Sequence, residues 1–180
     1  TSFDGIDSNP GFDATRDIGS EAYVTGNAGG TAGNDDVDGG TVTLTSPKFG
    51  PLGIENLKVG YQYWFTNGGG NSPIDDNMTV SITNGIETVL VKDYTFEDGV
   101  TNVWTRDSFL VADFVTVNDD LHLIVTTSDL GEGHVVEAGL DNFRVGSTIL
   151  PTGTDNHFTD AIVARVFPNP SADEFTLAVS

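Results

Sequence analysis

The stretch VVEAGLDNFRV, residues 135–145, contains the pattern that decides the fold. Val136, Ala138 and Leu140 occupy even positions and share one face, which is typical of a β-strand with one buried face. The later apolar residues, Phe143 and Val145, occupy odd positions. Because a strand turns successive side chains to opposite faces, this change of parity predicts a bulge or bend near Asp141–Asn142.

Two carboxylates, Glu137 and Asp141, lie within this apolar strand. A buried carboxylate is costly unless it is paired or binds a metal. The chain has 7 Lys and Arg residues against 27 Asp and Glu residues, so basic partners are scarce. A bound cation such as Ca²⁺ would neutralise the two groups, and exposure of both to solvent is the alternative.

The composition restricts the classes of function. The net charge of −20 at pH 7 repels nucleic acids and anionic membranes, so we expect neither as a partner. Such a charge is compatible with a soluble protein that works outside the cell. No run is long and apolar enough to span a membrane, so we expect no direct membrane insertion. The absence of cysteine excludes a disulfide framework and a zinc–thiolate site.

The rest of the sequence predicts short strands separated by turns. The clearest strand is LKVGYQYWF at 57–65, in which large apolar residues occupy every odd position. Asn84-Gly85 is a strong hairpin signal, and two loops rich in Gly, Asp and Asn are predicted at 26–40 and 66–77. The predicted strands are residues 21–25, 41–46, 57–65, 78–83, 86–92, 103–111, 121–127 and 135–145. This pattern predicts an all-β protein, an antiparallel two-sheet β-sandwich of the jelly-roll type.

The chain divides into three parts by composition. Residues 1–146 form the predicted β-sandwich module, which begins with a polar segment rich in turns. Residues 147–165 are polar and interrupted by Pro and Gly, which is typical of a linker. At residues 166–180, VFPNPSADEFTLAVS, a rigid Pro turn precedes a new strand, which indicates the beginning of a further domain.

A calcium site is predicted where the loop sequence DDVDGG meets the strand 135–145. Ca²⁺ takes about six to eight oxygen ligands, and this loop supplies carboxylates and carbonyls within a few residues. A structural Ca²⁺ would attach the long loop to the last strand, whereas a solvated acidic surface is the alternative. The predicted ligands are Asp36, Asp38, Glu137 and Asp141, with Asp35 as a further candidate.

Two further sets of side chains are candidates for ligand contact. Asp75 and Asp76, with Asp129 and Glu132 from a later turn, would form a second ion site or polar ligand-binding groups. Ordinary turn residues are the alternative. Trp64 points away from the apolar face of its strand, and an exposed ring there would stack on a sugar. Burial of Trp64 under a covered second face is the alternative.

The sequence gives little support for catalysis. The three histidines are far apart and form no HExxH pattern, and Gly-x-Ser-x-Gly is absent. The Gly-rich stretches do not continue into the GK[ST] of a P-loop. In a chain this acidic, pairs of carboxylates carry no information about glycoside hydrolysis. We therefore expect a protein that is not itself an enzyme.

Two stretches resemble known families. Phe-Pro-Asn-Pro-Ser at 167–171, followed by Glu-Phe-Thr-Leu at 174–177, resembles the opening of the C-terminal sorting domain of the type IX secretion system of Bacteroidota. Residues 22–145 resemble an accessory β-sandwich of secreted bacterial proteins, often attached to zinc carboxypeptidases and other surface hydrolases. The most specific segments are DVDGG…LTSP and SDLG…VVEAGLDNF. This stretch is also similar in outline to jelly-roll carbohydrate-binding modules, which often carry a structural Ca²⁺.

These resemblances imply a secreted or cell-surface protein, and they match Asp141 to an aspartate that is a usual calcium ligand in related jelly rolls. Sorting domains continue beyond the part present here, so we expect the native chain to extend past Ser180. The leading expectation is a non-catalytic, Ca²⁺-stabilised accessory or binding module for a polysaccharide or another cell-surface polymer. The alternatives are a self-assembling subunit of an adhesin, fibre or surface assembly, and a spacer of a secreted peptidase.

Overall fold

β-Strands form the framework of the protein. The computed structural model describes residues 2–3, 6–14, 19–26, 31–34, 36–50, 53–70, 73–98, 101–130, 133–147, 164–167 and 176–179. The strands are β1 (Ser2–Phe3), β2 (Ile6–Asp7), β3 (Tyr23–Val24), β4 (Gly40–Thr45), β5 (Lys58–Gly70), β6 (Asn77–Thr83), β7 (Thr88–Thr95), β8 (Thr101–Leu110), β9 (His122–Asp129), β10 (His134–Gly146), β11 (Ala164–Phe167) and β12 (Thr176–Val179). Three short 3₁₀ turns cover Ala32–Asn34, Phe96–Asp98 and Val111–Asp113. In these ranges of the chain, no helix is long and apolar enough to cross a bilayer.

The strands form two antiparallel sheets that face each other. The larger sheet has the order β12-β11-β10-β5-β8, and β3 also pairs with β10. The smaller sheet has the order β4-β9-β6-β7. β1 and β2 form a separate pair. The predicted all-β, two-sheet antiparallel sandwich is therefore confirmed, whereas the jelly-roll connectivity stays a prediction.

One apolar core fills the space between the two sheets. On β5, Val59, Tyr61 and Phe65 face inward at alternate positions, as predicted. β6 and β9 of the facing sheet are buried with the same two-residue period. The buried core side chains are Val37, Leu57, Val59, Tyr61, Phe65, Met78, Val80, Ile82, Phe109, Val111, Val115, Leu121, Leu123, Val125, Val136, Ala138, Leu140 and Val145. Burial of each large apolar side chain contributes about 1.5–3 kcal/mol to folding.

β10 contains the bulge that its sequence predicts. Its register with β5 shifts between Asp141 and Arg144. Asn142, inside the bulge, has a φ of 53°, a left-handed conformation that asparagine adopts more readily than most residues. The irregularity returns Phe143 and Val145 to the core side, despite their opposite parity. The prediction from the parity switch is therefore confirmed.

β5 is longer than the sequence predicts. The pattern predicts an end at residue 65 and a loop over 66–77, but β5 continues through Gly70. Its last residues pair with β10 as far as His134. Pairing with a long neighbouring strand thus outweighs the turn preference of Thr-Asn-Gly-Gly-Gly, and the predicted loop is wrong in its first five residues. The hairpin predicted at Asn84-Gly85 is confirmed, with Gly85 at a φ of 79°.

A polar segment, residues 8–14, lies across the outer face of the larger sheet. We call it the N-terminal arm. Thr66 of β5 donates a hydrogen bond from Oγ1 to the main-chain oxygen of Ser8, at 2.9 Å. The main-chain N–H of Ala14 donates to Asp141 Oδ2, at 3.3 Å. The arm therefore covers part of the side of β5 and β10 that faces away from the core.

The C-terminal residues that the structure describes form a hairpin. β11 and β12 pair antiparallel, and Ala164 also pairs with Val145 near the end of β10. Ala164 and Arg165, which lie within the predicted linker over 147–165, belong to β11. The strand predicted after the Pro turn corresponds to β12.

Candidate cation-binding sites

The two ends of the long Gly/Asp loop are attached to neighbouring positions of β10. At one end, the Thr25 N–H donates to the main-chain oxygen of Ala138, at 3.0 Å. At the other end, the Val37 N–H donates to the main-chain oxygen of Val136, also at 3.0 Å. These bonds hold the acidic part of the loop beside the first half of β10. Main-chain hydrogen bonds thus attach this loop to the last strand, whereas attachment through Ca²⁺ stays a prediction. Asp35 lies outside the described residues.

Glu137 is the most deeply buried carboxylate of this region. Its side chain is 1% exposed and lies on the face of β10 that points away from the core. Two neutral donors of the N-terminal arm bind it: Ser8 Oγ donates to Oε1 at 2.8 Å, and Asn9 Nδ2 donates to Oε2 at 3.1 Å. The arm therefore fixes the orientation of this carboxylate.

Asp36 lies near enough to Asp38 and to Glu137 to be affected by their negative charges, and we call the three residues the outer acidic cluster. Partial loss of hydration, followed by the negative charges of Asp38 and Glu137, raises the pKa of Asp36 from 3.8 to about 6. Asp36 Oδ1 is enclosed and accepts no hydrogen bond from the described residues. Because the donor atoms are all oxygens and carry excess negative charge, the cluster fits a hard cation such as Ca²⁺.

Asp141 lies apart from the outer acidic cluster, in contrast to the predicted set of four ligands. It follows Glu137 by four residues, which places it about 13 Å further along the strand. Its Oδ1 accepts a bond from the Asn142 N–H at 2.5 Å, and its Oδ2 binds the Ala14 N–H. Asp141 therefore fixes the bulge and the N-terminal arm. No three of the predicted calcium ligands, all of which are described, place ligand oxygens within 4.8 Å of one another, so a bound ion requires the outer carboxylates to move closer together.

Trp64 belongs to the protein interior and presents no ring face to a sugar. It is 1% exposed and packs edge-on against Trp104, with 6.3 Å between the ring centres. Trp104 Nε1 donates to the main-chain oxygen of Phe12 at 2.8 Å, which holds the N-terminal arm against this pair of rings. Gly139 leaves the space that the indole needs, since a Cβ there would overlap Trp64 Nε1. The predicted stacking role is thus corrected to burial, the alternative that the sequence left open.

The second predicted set meets at one end of the sandwich, around His134. A ring nitrogen of His134 and one oxygen each of Asp75 and Asp76 lie within 4.8 Å of one another, the only such acidic or histidine group among the described residues. His134 Nδ1 is 2.7 Å from Asp76 Oδ2 and 3.9 Å from Asp129 Oδ1. We call Asp75, Asp76, Asp129 and His134 the end cluster. Glu132, also expected here, lies outside the described residues.

The sequence reasoning missed His134, although the alternation of the strands contains a signal for it. On β6, β9 and β10, every second side chain points into the core. Asp76, Asp129 and His134 occupy the next position in these alternating series, two residues beyond the last buried side chain of each. All three are nearly buried, with 5%, 3% and 3% of their surfaces exposed. A polar residue in an otherwise inward-facing row is therefore the pattern that identifies the end cluster.

An apolar cleft of about 230 Å³ opens between the two sheets, beside β3 and β4. Tyr23, Val24 and Val42 are partly exposed there, and Met78 and Leu140 also line the cleft. A concave, mainly apolar surface of this kind is typical of contact sites for ligands. The cleft offers the partly exposed Tyr23 ring to a partner.

No protein-family model matches the sequence, and the comparison with curated proteins finds no match. The resemblances to an accessory module and to a sorting domain therefore rest on the motifs quoted above.

Proposed function

We propose that the chain is a non-catalytic accessory module of a secreted or cell-surface protein, stabilised by a bound Ca²⁺ ion. The outer acidic cluster is the observation that carries the proposal, because it gathers three carboxylates where a long loop is attached to β10. With 7 basic residues for 27 acidic ones, a cation is the readiest source of positive charge. The secreted location is supported by the sorting motif and by the net charge of −20.

The proposed ion would be held by Asp36 and Asp38 from the loop and by Glu137 from β10. When bound, Ca²⁺ supplies positive charge and joins the loop to the strand. The chain's own residues prepare the site, because Ser8 and Asn9 orient the Glu137 carboxylate. The main-chain bond of Val37 keeps the loop within reach of β10. The ion would therefore reinforce an attachment that the fold already makes.

Thermal unfolding of residues 1–180 with Ca²⁺ and with EDTA, at fixed ionic strength, tests the ion. At a free concentration of about 100 times Kd, binding adds about 2.7 kcal/mol, which raises the midpoint by roughly 5–10 °C for a chain of this size. Glu137→Gln preserves the size of the side chain and should remove the shift. Glu97→Gln, exposed in the Phe96–Asp98 turn, should retain it. An unshifted wild-type melt, or a shift that persists in Glu137→Gln, contradicts the proposal.

We further propose a polysaccharide or another cell-surface polymer as the partner of the module. Tyr23, which is 36% exposed at the cleft, supports this because a partly exposed ring offers an apolar face and a polar edge to a sugar. Affinity electrophoresis through gels that contain soluble polysaccharides tests the partner. Retarded migration in at least one gel is expected, and unchanged migration in all of them removes the polysaccharide from the proposal.

A subunit of a surface assembly is the second candidate function. β7 lies at the edge of the smaller sheet, and it carries Leu90 with 52% of its surface exposed. Ile86, in the hairpin before β7, is 88% exposed. An exposed edge strand with apolar side chains can pair with a second chain. Sedimentation velocity over a range of concentrations separates the candidates, because an assembly subunit forms oligomers and an accessory module stays monomeric. A spacer of a secreted peptidase shows neither oligomers nor polymer binding.

A further inference from the structure

The end cluster lies where inward-facing rows of four strands end together. β5 contributes Asn67, β9 contributes Asp129, β10 contributes His134, and Asp76 immediately precedes β6. These four residues are between 0% and 5% exposed. The apolar core therefore ends on this side in a layer of buried polar groups, each of which is costly unless it finds a partner.

Hydrogen bonds from separate segments hold this layer in place. Asn67 Nδ2 donates to the main-chain oxygen of Asp76 at 2.6 Å, and the Leu130 N–H donates to Asp76 Oδ1 at 2.9 Å. The His134 N–H donates to Asp129 Oδ1 at 3.4 Å. The segment before β6 is thus fixed to β5 and to the turn between β9 and β10, which gives the cluster a prebuilt geometry.

The charges of the layer are unbalanced in favour of negative groups. Two buried carboxylates, Asp76 and Asp129, face a single imidazole, and protonated His134 would neutralise one of them. Exposed Asp75 adds a third carboxylate to the same end. Within the described part of the chain, no lysine or arginine forms an ion pair with any of these carboxylates. A cation would supply the missing positive charge.

Asn67 gives an independent indication of a ligand. The residue is completely buried, and the bond from Nδ2 to the main-chain oxygen of Asp76 places its amide beside the end cluster. Its Oδ1 is enclosed and accepts no hydrogen bond from any described group. A buried carbonyl oxygen without a donor is destabilising, and amide oxygens are ordinary ligands of metal ions.

We propose that Asp75, Asp76 and His134 bind a divalent transition-metal ion of the Zn²⁺ class at this end of the sandwich. An imidazole nitrogen combined with carboxylate oxygens is a donor set for such ions, whereas Ca²⁺ prefers oxygen ligands alone. Ligand atoms lie about 3.3 Å apart around a tetrahedral ion, so the 2.7 Å contact between His134 Nδ1 and Asp76 Oδ2 must lengthen. Exposed Asp75 is the residue with room to move toward the ion. The site shares no residue with the outer acidic cluster and does not depend on the proposed Ca²⁺.

Calorimetric titration of metal-depleted residues 1–180 with ZnCl₂ tests the site. We expect one Zn²⁺ per chain and an affinity at least about tenfold weaker in Asp75→Asn, whose exposed side chain can change without disturbing the fold. The matched control is Asp113→Asn, exposed in the Val111–Asp113 turn, which should bind as the wild type does. No binding to the wild type, or equal binding to Asp75→Asn, overturns the proposal.

Nitrogen-15 NMR of the histidine side chains identifies the nitrogen ligand in the unaltered protein. Zn²⁺ should shift the imidazole resonances of His134 and leave those of His122, which lies 3.8 Å from Asp120 elsewhere in the fold. A titration that leaves His134 unchanged overturns the assignment. Displacement of Zn²⁺ by an equal concentration of Ca²⁺ would indicate an all-oxygen site and overturn it as well. Because these readouts follow His134 and Asp75, they succeed or fail separately from the Ca²⁺-dependent melt.

Discussion

Substitution of Asp36 by asparagine tests how far burial and charge repulsion in the outer acidic cluster lower the free energy of unfolding. Burial and the neighbouring charges of Asp38 and Glu137 raise the pKa of Asp36 from 3.8 to about 6. The folded chain therefore holds this proton more tightly than the unfolded chain does. As the pH rises from about 4 to about 6, the unfolded chain releases the proton first, so the free energy of unfolding falls. Asparagine stays neutral at every pH and is free of this loss.

The size of the effect follows from the two pKa values. The difference between 3.8 and about 6 corresponds to about 3 kcal/mol for a fully buried carboxylate. Because the Asp36 side chain is only partly buried, solvent screening reduces the expected effect to about 1 kcal/mol. In EDTA, Asp36→Asn should therefore match the wild type near pH 4 and exceed its free energy of unfolding by about 1 kcal/mol at pH 7.

Urea denaturation at several pH values between 4 and 7, in EDTA, gives the difference between the two proteins directly. Carboxylates remote from Asp36 contribute equally to both proteins and cancel in this difference. Asp113→Asn serves as the control, and its difference from the wild type should not change with pH. In saturating Ca²⁺ the difference should reverse, because the wild type gains an ion that the variant binds less well. A pH-independent difference, or a wild type that is the more stable protein at pH 7 in EDTA, would refute the reasoning.

Two further substitutions test individual contacts of the fold, namely the packing of Gly139 against Trp64 and the hydrogen bond of Tyr94. Gly139→Ala should lower the free energy of unfolding by about 1–3 kcal/mol in urea denaturation, because its Cβ overlaps the buried Trp64 indole. Gly68→Ala, whose Cβ meets no atom within 4 Å, should change it by less than about 0.5 kcal/mol; equal effects of the two would contradict the close packing. Tyr94→Phe should lower the free energy of unfolding by about 1–2 kcal/mol in the same assay, because the Tyr94 hydroxyl donates a hydrogen bond to Asp107 Oδ2 at 2.8 Å. A cost no larger than that of Tyr23→Phe, at a partly exposed position, would show that this bond contributes nothing.

The fold could be predicted from the sequence because strand alternation records which side of each strand is buried. The parity switch in β10 even located the bulge, since only an extra residue can return Phe143 and Val145 to the core. The end of β5 could not be predicted in this way. Its last residues read locally as a turn, and their pairing with β10 comes from residues that are distant in sequence.

The candidate sites were predicted less completely. Burial on the outer face of a sheet depends on which other segment of the chain covers that face. Trp64 stands on the outer face of β5, and its parity is compatible with exposure and with burial. The N-terminal arm covers this face, so Trp64 is buried. The sequence of the arm has no periodic pattern from which its position could be predicted. The separation of Asp141 from Glu137 follows from strand geometry alone, at about 3.3 Å per residue. That distance was available from the sequence and argues against one ion between these two carboxylates.

β10 connects the two proposed cation sites, and its alternation keeps them independent. His134 belongs to the inward-facing parity of the strand, whereas Glu137, three residues later, belongs to the outward-facing parity. His134 contacts Asp76 in the segment before β6, whereas Glu137 binds Ser8 of the N-terminal arm, beside the long Gly/Asp loop. Because the ligands lie on opposite faces and share no side chain, each ion would stabilise its own attachment to β10. The Ca²⁺-dependent and Zn²⁺-dependent increments in the free energy of unfolding should therefore add, and a marked departure from additivity would mean that the two sites are coupled through β10.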